Sequence, residues 1–294
     1  MPVVARTTGT IPTRVLVLGM AHEDGTIDAS ELFPVAEACG QSPEQVRSCL
    51  RRLVAEGLFD RRGTGRTATF LATPRGLASL GVTIERTRLA YGQDAAGRGW
   101  DGQWRLVAVA VPESRRSARD ALRERLRALG GAPIQGGLYL SPHDWHKDVV
   151  AVADKLGITD GLTLATTSEL TVGGERDARE LARTLWPIDE MAARYRAFCE
   201  HYGPVLDFLV EMRTRHEHLR DTEFLPGALG MAVEFQECFN ADPLLPPELL
   251  PRPWPGRTAR DLILKSRRLA LALRQGQGRP ALFRTYDDAI ESLR

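Results

Sequence analysis

The chain has 294 residues, 43% of them hydrophobic and 26% charged, which is ordinary for a globular protein with sizeable cores. Its net charge of +1 excludes a uniformly basic coat for nucleic acid. The apolar run at residues 15 to 21 is too short to span a bilayer, so we expect a cytoplasmic protein. The four cysteines include no Cys-x-x-Cys pair, which argues against a disulfide framework or a cysteine zinc site.

Three helices are predicted at the start of the chain. Residues 12 to 22 indicate the first, and Ser30 can cap a second that ends at Gly40. The third begins with Ser42 as its N-cap and Gln45 three residues later, which is the pattern of a capping box.

The third predicted helix has two chemically different faces. Its apolar face is formed by Val46, Cys49, Leu50, Leu53 and Val54. Its polar face is formed by Glu44, Gln45, Arg47, Ser48, Arg51 and Arg52. Two helices joined by a short turn, the second with long hydrogen-bond donors outward, are typical of a helix-turn-helix.

A basic hairpin is predicted directly after the third helix. Residues 58 to 76 indicate two short strands around the sequence RGTGR, followed by the start of another helix. Between residues 42 and 76 seven arginines stand against three acids, a local net charge of +4. Three helices followed by a basic hairpin are in the order of a winged helix-turn-helix.

The predicted DNA-binding residues come from this helix and this hairpin. They are Ser42, Gln45, Arg47, Ser48, Arg51, Arg52, Arg61, Arg62 and Arg66. We expect Arg47 and Arg51 to contact base edges, with Ser48 as a shorter contact, and the hairpin arginines to hold phosphates. The alternative for any single arginine is a solvated surface position.

A small α/β region is predicted after a glycine-rich joint at residues 91 to 102. It has a strand, a helix that Ser114 can cap, one strand or a hairpin of two at 132 to 142, a second helix, a strand and a further helix. This order is that of the ferredoxin-like split βαβ arrangement. The first helix would turn Ala118, Leu122, Leu126 and Leu129 inward.

The last third of the chain is predicted to be helical. A long helical stretch from residue 186 should be broken near Gly203 and Pro204, and two more helices follow. Between these last two, residues 240 to 257 combine prolines with leucines and Trp254. Because proline restricts the backbone, we expect a rigid strap that buries these side chains across a helical domain.

Several motifs together suggest a family. They are Asp242-Pro243-Leu244-Leu245-Pro246, Leu249-Leu250-Pro251, Trp254-Pro255-Gly256 with Ala259, GGLYLSP at 136 to 142, WPIDEMAARYRAF at 186 to 198, and the helix-and-hairpin segment from Ser42 to Arg66. With Trp104 and the strand that follows it, this pattern resembles the PaaX family of bacterial transcriptional regulators over nearly the whole chain.

The resemblance implies an α+β protein with three domains. These are a winged helix-turn-helix at residues 1–90, a ferredoxin-like (Cas2-like) central domain at 91–188, and a helical C-terminal domain at 189–294 that includes the strap at 240–257. It also implies a homodimeric repressor, with a double-stranded DNA operator as its partner. A small-molecule effector of the aryl- or acyl-CoA class would release the protein from that operator.

We hypothesise that the effector is an aromatic or acyl molecule bound between the central and C-terminal domains. Trp100, Trp104, Tyr139 and Tyr195 could line such a pocket, with Arg105 or Arg194 for an anionic group. The alternative is that these aromatic side chains are ordinary core residues.

No catalytic or metal-binding function is expected. The chain has no nucleophile elbow, Walker loop or HExxH sequence, and no cofactor is indicated. His143 with His146, and His216 with His218, have spacings that occur often by chance, so we predict no metal. A second function stays open, an RNA-binding or protein-interaction adaptor built on the same modules; an RNA reader should expose stacking aromatic side chains on a sheet.

Overall fold

The computed structural model describes residues 12–219, 221–274 and 282–284. It has two compact units, each drawn from separate segments of the chain. The first unit is formed by Met1–Ala95, Tyr195–Glu237 and Pro255–Arg294. The second unit is formed by Ala96–Arg194 and Cys238–Trp254. None of the helices within these described ranges is long and apolar enough to cross a membrane.

The first unit begins with helices and short strands. In chain order these are α1 (Thr13–Gly19), β1 (Thr26–Asp28), α2 (Ala29–Ala38), α3 (Pro43–Ala55), β2 (Phe59–Arg62), β3 (Thr69–Ala72) and α4 (Pro74–Ala96). The strands pair antiparallel in the order β1-β3-β2, so the hairpin predicted from the sequence is present. Strand β1 is not among the predicted elements, because three residues are too few for an alternating pattern.

The start of α3 is determined by residues adjacent in the sequence, whereas the start of α2 depends on pairing between strands. Ser42 Oγ accepts the Gln45 N–H at 3.2 Å and Gln45 Oε1 accepts the Ser42 N–H at 2.7 Å, which confirms the predicted capping box. The prediction of Ser30 as the cap of α2 is wrong, since Asp28 occupies that position. Asp28 ends β1 and accepts a hydrogen bond from Thr69 of β3, so pairing between strands sets where α2 begins.

Helix α3 buries most of its predicted apolar face in the core of the first unit. The buried residues are Val46, Cys49, Leu50 and Leu53. Val54 was expected on the same face, but its side chain is exposed because it lies at the edge of the stripe. The helix ends before Gly57, whose φ of 68° is the left-handed conformation that glycine adopts readily after a helix.

The second unit is built on a four-stranded antiparallel sheet. Its elements are β4 (Trp104–Val109), α5 (Arg116–Ala128), β5 (Ala132–Gln135), β6 (Leu138–Ser141), α6 (His146–Lys155), β7 (Leu162–Thr167) and α7 (Ala178–Leu185). The sheet order is β5-β6-β4-β7, and the sequence of elements from β4 to β7 is that of the split βαβ arrangement. Residues 132 to 142, predicted as one strand or two, form the hairpin β5–β6.

Helices α5 and α6 cover one face of this sheet. The shared core includes Val107, Val109, Tyr139, Leu122, Leu126, Val149 and Ala153. Ala118 and Leu129 are partly buried against it, so the predicted inner face of α5 is confirmed. Ser114 does not cap α5: it lies inside the short 3-10 turn Glu113–Arg115, which leaves Arg115 at the N-cap position.

The helical last third comprises α8 (Ile188–Thr214), α9 (Asp221–Ala241) and α10 (Pro255–Leu273). The predicted break near Gly203 and Pro204 is wrong, because α8 continues through both residues. Pro204 costs the helix one N–H donor. Burial of Tyr202 before it and of Leu209 and Met212 after it offsets that loss, since packing of an apolar face stabilises most helices in proteins.

The proline-rich strap buries its leucines, as the sequence predicts. Leu244, Leu245, Leu249, Leu250 and Trp254 are all buried. The strap residues up to Trp254 belong to the second unit rather than lying across a helical domain, and residues 255 to 257 start α10. The Glu248 carboxylate accepts the backbone N–H groups of Gly99 and Trp100, and a ring nitrogen of His143 bonds the Pro243 carbonyl at 3.0 Å.

Candidate nucleic-acid interface

The outward face of α3 carries exposed arginines on a rigid support. Arg47, Arg51 and Arg52 are exposed, while the opposite face of the helix is anchored in the core. Ser48, beside them, is half-buried. The helix is therefore a fixed platform for long cationic donors, which suit both guanine edges and phosphates.

Two side chains, those of Glu44 and Phe33, contact the guanidinium group of Arg47. Its Nη1 lies 3.3 Å from Glu44 Oε2, and its guanidinium carbon lies 5.7 Å from the centre of the Phe33 ring. Arg51 Nη2 lies 3.7 Å from the other Glu44 oxygen. Phe33 was missed by the sequence analysis, because a contact between α2 and α3 has no signal in local spacing.

Ser42 and Gln45 have a structural use that limits their role at a ligand. Their side-chain oxygens accept the hydrogen bonds of the capping box described above. These two residues, predicted to bind DNA, are therefore first of all the residues that define the start of α3 and the register of its exposed face.

The β2–β3 hairpin presents charge next to α3 in the chain. Phe59 and Phe70 anchor it in the core, whereas Arg61 and Arg62 are exposed. Arg66 lies in the short 3-10 turn between the strands. Gly65 is the first residue of this turn and Gly63 lies two residues before it, with φ values of 63° and 75°, a conformation that suits glycine.

Glu56, the C-cap residue of α3, is paired with an arginine of α1. Arg14 of α1 donates two hydrogen bonds to Glu56, at 3.0 and 2.8 Å. These hydrogen bonds lower the pKa of Glu56, so that carboxylate stays ionised and is compensated by Arg14. The exposed arginines of α3 and of the hairpin supply the positive charge of this surface.

The predicted effector residues of the second unit do not form one surface. The rings of Trp100 and Trp104 lie 5.0 Å apart, and Trp104 stacks on Trp186 at 6.5 Å. Tyr139 pairs with Val107, so Tyr139 and Trp104 point to opposite faces of the sheet. Trp186 was missed as a member of this aromatic cluster, although its motif was recognised.

The two predicted anion-binding arginines are already paired. Arg105 donates to both oxygens of Asp101, at 2.7 and 2.5 Å, and to the carbonyls of Gln103 and Pro142. These bonds lower the pKa of Asp101 and raise that of Arg105. Arg194 pairs with Glu190 on the exposed side of α8.

Tyr195, the remaining predicted effector residue, is a buried residue of the first unit. Its ring packs 6.5 Å from that of Phe235 on α9. This environment is that of a core aromatic side chain.

One histidine cluster was not expected from the sequence. Among the described residues, His22, Asp28 and Glu31 place ligand-type atoms within 4.8 Å of one another. Arg284 donates to Glu31 at 2.7 Å and lies 3.2 Å from the His22 ring nitrogen, so the chain supplies its own cation there. Burial raises the pKa of Glu31, but Arg284 and His22 more than offset this and lower it.

Two family models match the chain. Residues 97–182 match the PaaX protein central Cas2-like domain, and residues 186–275 match the PaaX-like protein C-terminal domain. The chain is 26% identical over 246 residues to the transcriptional repressor PaaX of Escherichia coli strain K12, a match that covers 83% of this chain and 74% of the repressor.

A solved structure has a related fold. The uncharacterized protein Rv0674 from Mycobacterium tuberculosis aligns over 90% of both chains with a TM-score of 0.51 and 20% sequence identity. At that identity the likeness is one of fold alone.

Proposed function

The chain belongs to the PaaX family, and from this premise we propose that it is a sequence-specific DNA-binding repressor of transcription. Residues 1–90 would act as a winged helix-turn-helix, with α3 in the major groove and the β2–β3 hairpin as the wing. The protein would act in the cytoplasm, on a double-stranded DNA operator.

The exposed arginine face of α3 carries this proposal. Arg47 and Arg51 project from a helix whose start is defined by a capping box and whose other face is buried. A rigid helix of this kind can hold guanidinium groups in the fixed geometry that guanine O6 and N7 require. Arg61 and Arg62 on the hairpin would bind phosphates and set the register without reading sequence.

The proposal includes a homodimer and an effector. A single small recognition helix reads few base pairs, and pairing of two copies of the chain doubles the length of DNA that is read at little cost.

A small molecule of the aryl- or acyl-CoA class would release the protein from the operator by binding one conformation of the protein more tightly than the other. The aromatic cluster of Trp100, Trp104 and Trp186 supports a site for its aromatic or acyl part, with half-buried Trp100 at the surface.

The central test compares operator and random DNA. A duplex would be selected from a randomised pool with the wild-type protein, and its binding compared with that of a scrambled duplex at two salt concentrations. We expect Arg47→Ala/Arg51→Ala to lose most of the preference, since each bidentate guanine contact contributes about 1–3 kcal/mol of discrimination.

The matched control removes two positive charges elsewhere. Arg125 and Arg127 are exposed on α5, so Arg125→Ala/Arg127→Ala should keep the preference. If the pool yields no enriched duplex, and wild-type binding is competed equally by any DNA, the repressor proposal is wrong. Preference for single-stranded RNA over both duplexes would then favour the adaptor function.

The effector part has its own readout. Quenching of tryptophan fluorescence by an acyl-CoA, measured on wild type and on Trp100→Leu, should be lost in the variant together with effector-induced release of DNA. Full release from DNA in Trp100→Leu would contradict a site at this cluster.

A further inference from the structure

We propose that Glu44 is a specificity-determining residue of the α3 surface, which favours G·C base edges and disfavours phosphates. The inference rests on the proposed function, because it requires α3 to face DNA. It assigns a role to the acid in the first turn of α3, on a surface whose other proposed DNA contacts are mostly arginines.

The position of Glu44 between two arginines is the first argument. Its Oε2 faces Arg47 Nη1 at 3.3 Å and its Oε1 faces Arg51 Nη2 at 3.7 Å, so each oxygen serves a different guanidinium. The Phe33 ring contacts Arg47 as well. Glu44 therefore brings the two proposed reading residues to one point of the helix surface.

The second argument is that the fold gains little from this carboxylate. The side chain of Glu44 is 72% exposed, and those of Arg47 and Arg51 are 59% and 72% exposed. Exposed ion pairs contribute little to stability. The capping box that defines the start of α3 is formed by the side chains of Ser42 and Gln45, and the Glu44 carboxylate takes no part in it.

The third argument concerns what each DNA group offers to the cluster. A guanine presents two acceptors to an arginine, and the cytosine paired with it presents an amino donor that a carboxylate can accept. A phosphate presents acceptors only, and its negative charge is repelled by Glu44. The cluster therefore suits a G·C pair and penalises backbone contact, which lowers binding to random DNA relative to the operator.

The test uses Glu44→Gln, which keeps the size of the side chain and removes its charge. We expect binding to the scrambled duplex to strengthen by about fivefold, the scale of one unit-charge interaction at about 4 Å in water. Binding to the selected duplex should not strengthen, so the ratio of the two affinities falls. The dependence of scrambled-duplex binding on salt should become steeper, because the arginines engage more phosphate.

Two further variants separate this role from a structural one. Glu44→Asp keeps the charge and should restore most of the affinity ratio. Glu85 of α4 is a comparable acid, since its side chain is 70% exposed and pairs with Arg88 at 2.7 Å. Glu85→Gln should leave the ratio of the two DNA affinities unchanged. Thermal unfolding midpoints of all variants should match the wild type within about 2 °C.

The outcomes distinguish the two proposals. If the wild type prefers the selected duplex and Glu44→Gln keeps the same ratio, the inference about Glu44 is overturned while the repressor function stands. An equal fall in the ratio for Glu85→Gln would also overturn it, since any lost surface acid would then suffice. If the wild type shows no preference, both proposals fail together.

Discussion

At the scale of single residues, the strongest determinants of this surface are reciprocal hydrogen bonds over a few positions. Ser42 and Gln45 satisfy each other's backbone N–H groups and so define the first turn of α3. The direction in which Arg47 and Arg51 project follows from that first turn. The capping box is therefore a positioning device for the proposed reading residues as well as a stabilising contact.

Ser42→Ala should lower the free energy of unfolding by about 1 kcal/mol, because it removes the side-chain acceptor at the N-cap. Ser42→Gly is the comparison, since glycine at an N-cap costs only a few tenths of a kcal/mol. Urea unfolding followed by circular dichroism measures both. Equal losses for the two variants would contradict a capping role.

Because Asp101 is paired with Arg105, we expect the free energy of unfolding to depend on pH in the acidic range. Hydrogen bonding to Arg105 lowers the pKa of Asp101 in the folded protein below its unfolded value of about 3.9. The contribution of the ionised Asp101 side chain to the free energy of unfolding is therefore fully present above about pH 4 to 5. It is lost as the pH falls through the pKa that Asp101 has in the folded protein. Asp101→Asn should cost about 1 kcal/mol at pH 7, and this difference from wild type should shrink towards pH 3.

The control for this experiment is Asp154→Asn, at an exposed position of α6. Its unfolding free energy should follow that of the wild type at every pH. A constant gap between Asp101→Asn and wild type from pH 7 to pH 3 would refute the proposed linkage.

At the scale of elements, the position of α4 after the hairpin depends on a close approach between its backbone and that of Leu58. Gly76 lies in the first turn of α4, where an added Cβ would be 2.0 Å from the Leu58 carbonyl oxygen. Thr73 Oγ1 also donates to the Gly57 carbonyl at 2.7 Å. The end of α3 and the start of α4 are thus in contact through main chain, which leaves no space for a side chain at position 76.

Gly76→Ala should destabilise the protein by about 1–3 kcal/mol, since the Leu58 main chain must move to admit the methyl group. Gly81→Ala in the same helix has nothing within 4 Å of its added Cβ. That variant should be neutral or more stable by up to about 1 kcal/mol, because alanine is the better helix former. Urea unfolding of the pair measures the difference, and equal effects would contradict the close approach.

At the scale of the whole molecule, the first unit is joined by contacts between distant segments. Asp94 of α4 accepts hydrogen bonds from Arg260 of α10 at 2.5 and 2.8 Å, over a separation of 166 residues. Arg260 is 5% exposed, and the Tyr91 hydroxyl donates to its carbonyl. Leu282, near the end of the chain, lies in the same core as α1 to α3.

Asp94→Asn should cost about 3–5 kcal/mol, because it removes the carboxylate charge from a buried ion pair. Asp261→Asn, at the exposed neighbouring position of α10, should be nearly neutral. Denaturant unfolding reports both variants. A loss for Asp94→Asn no larger than for Asp261→Asn would show that the pair is not buried as described.

The amino-acid sequence by itself determined what depends on near neighbours. The capping box of α3, the buried stripes of α3 and α5, the β2–β3 hairpin and the order of elements from β4 to β7 could all be predicted from it. Each arises from hydrogen bonds or from a hydrophobic period within one or two elements, and such signals are written in adjacent residues.

Other features depend on which elements pack against each other, and only the tertiary structure determined these. The pairing of three-residue β1, the passage of α8 through Pro204, the opposite directions of Trp104 and Tyr139, and the Asp94–Arg260 pair have no local signal. At the candidate site the same holds for Phe33, which reaches Arg47 from another helix. These features are set by packing and by strand register, where energy gained between distant segments outweighs the preference of the local chain.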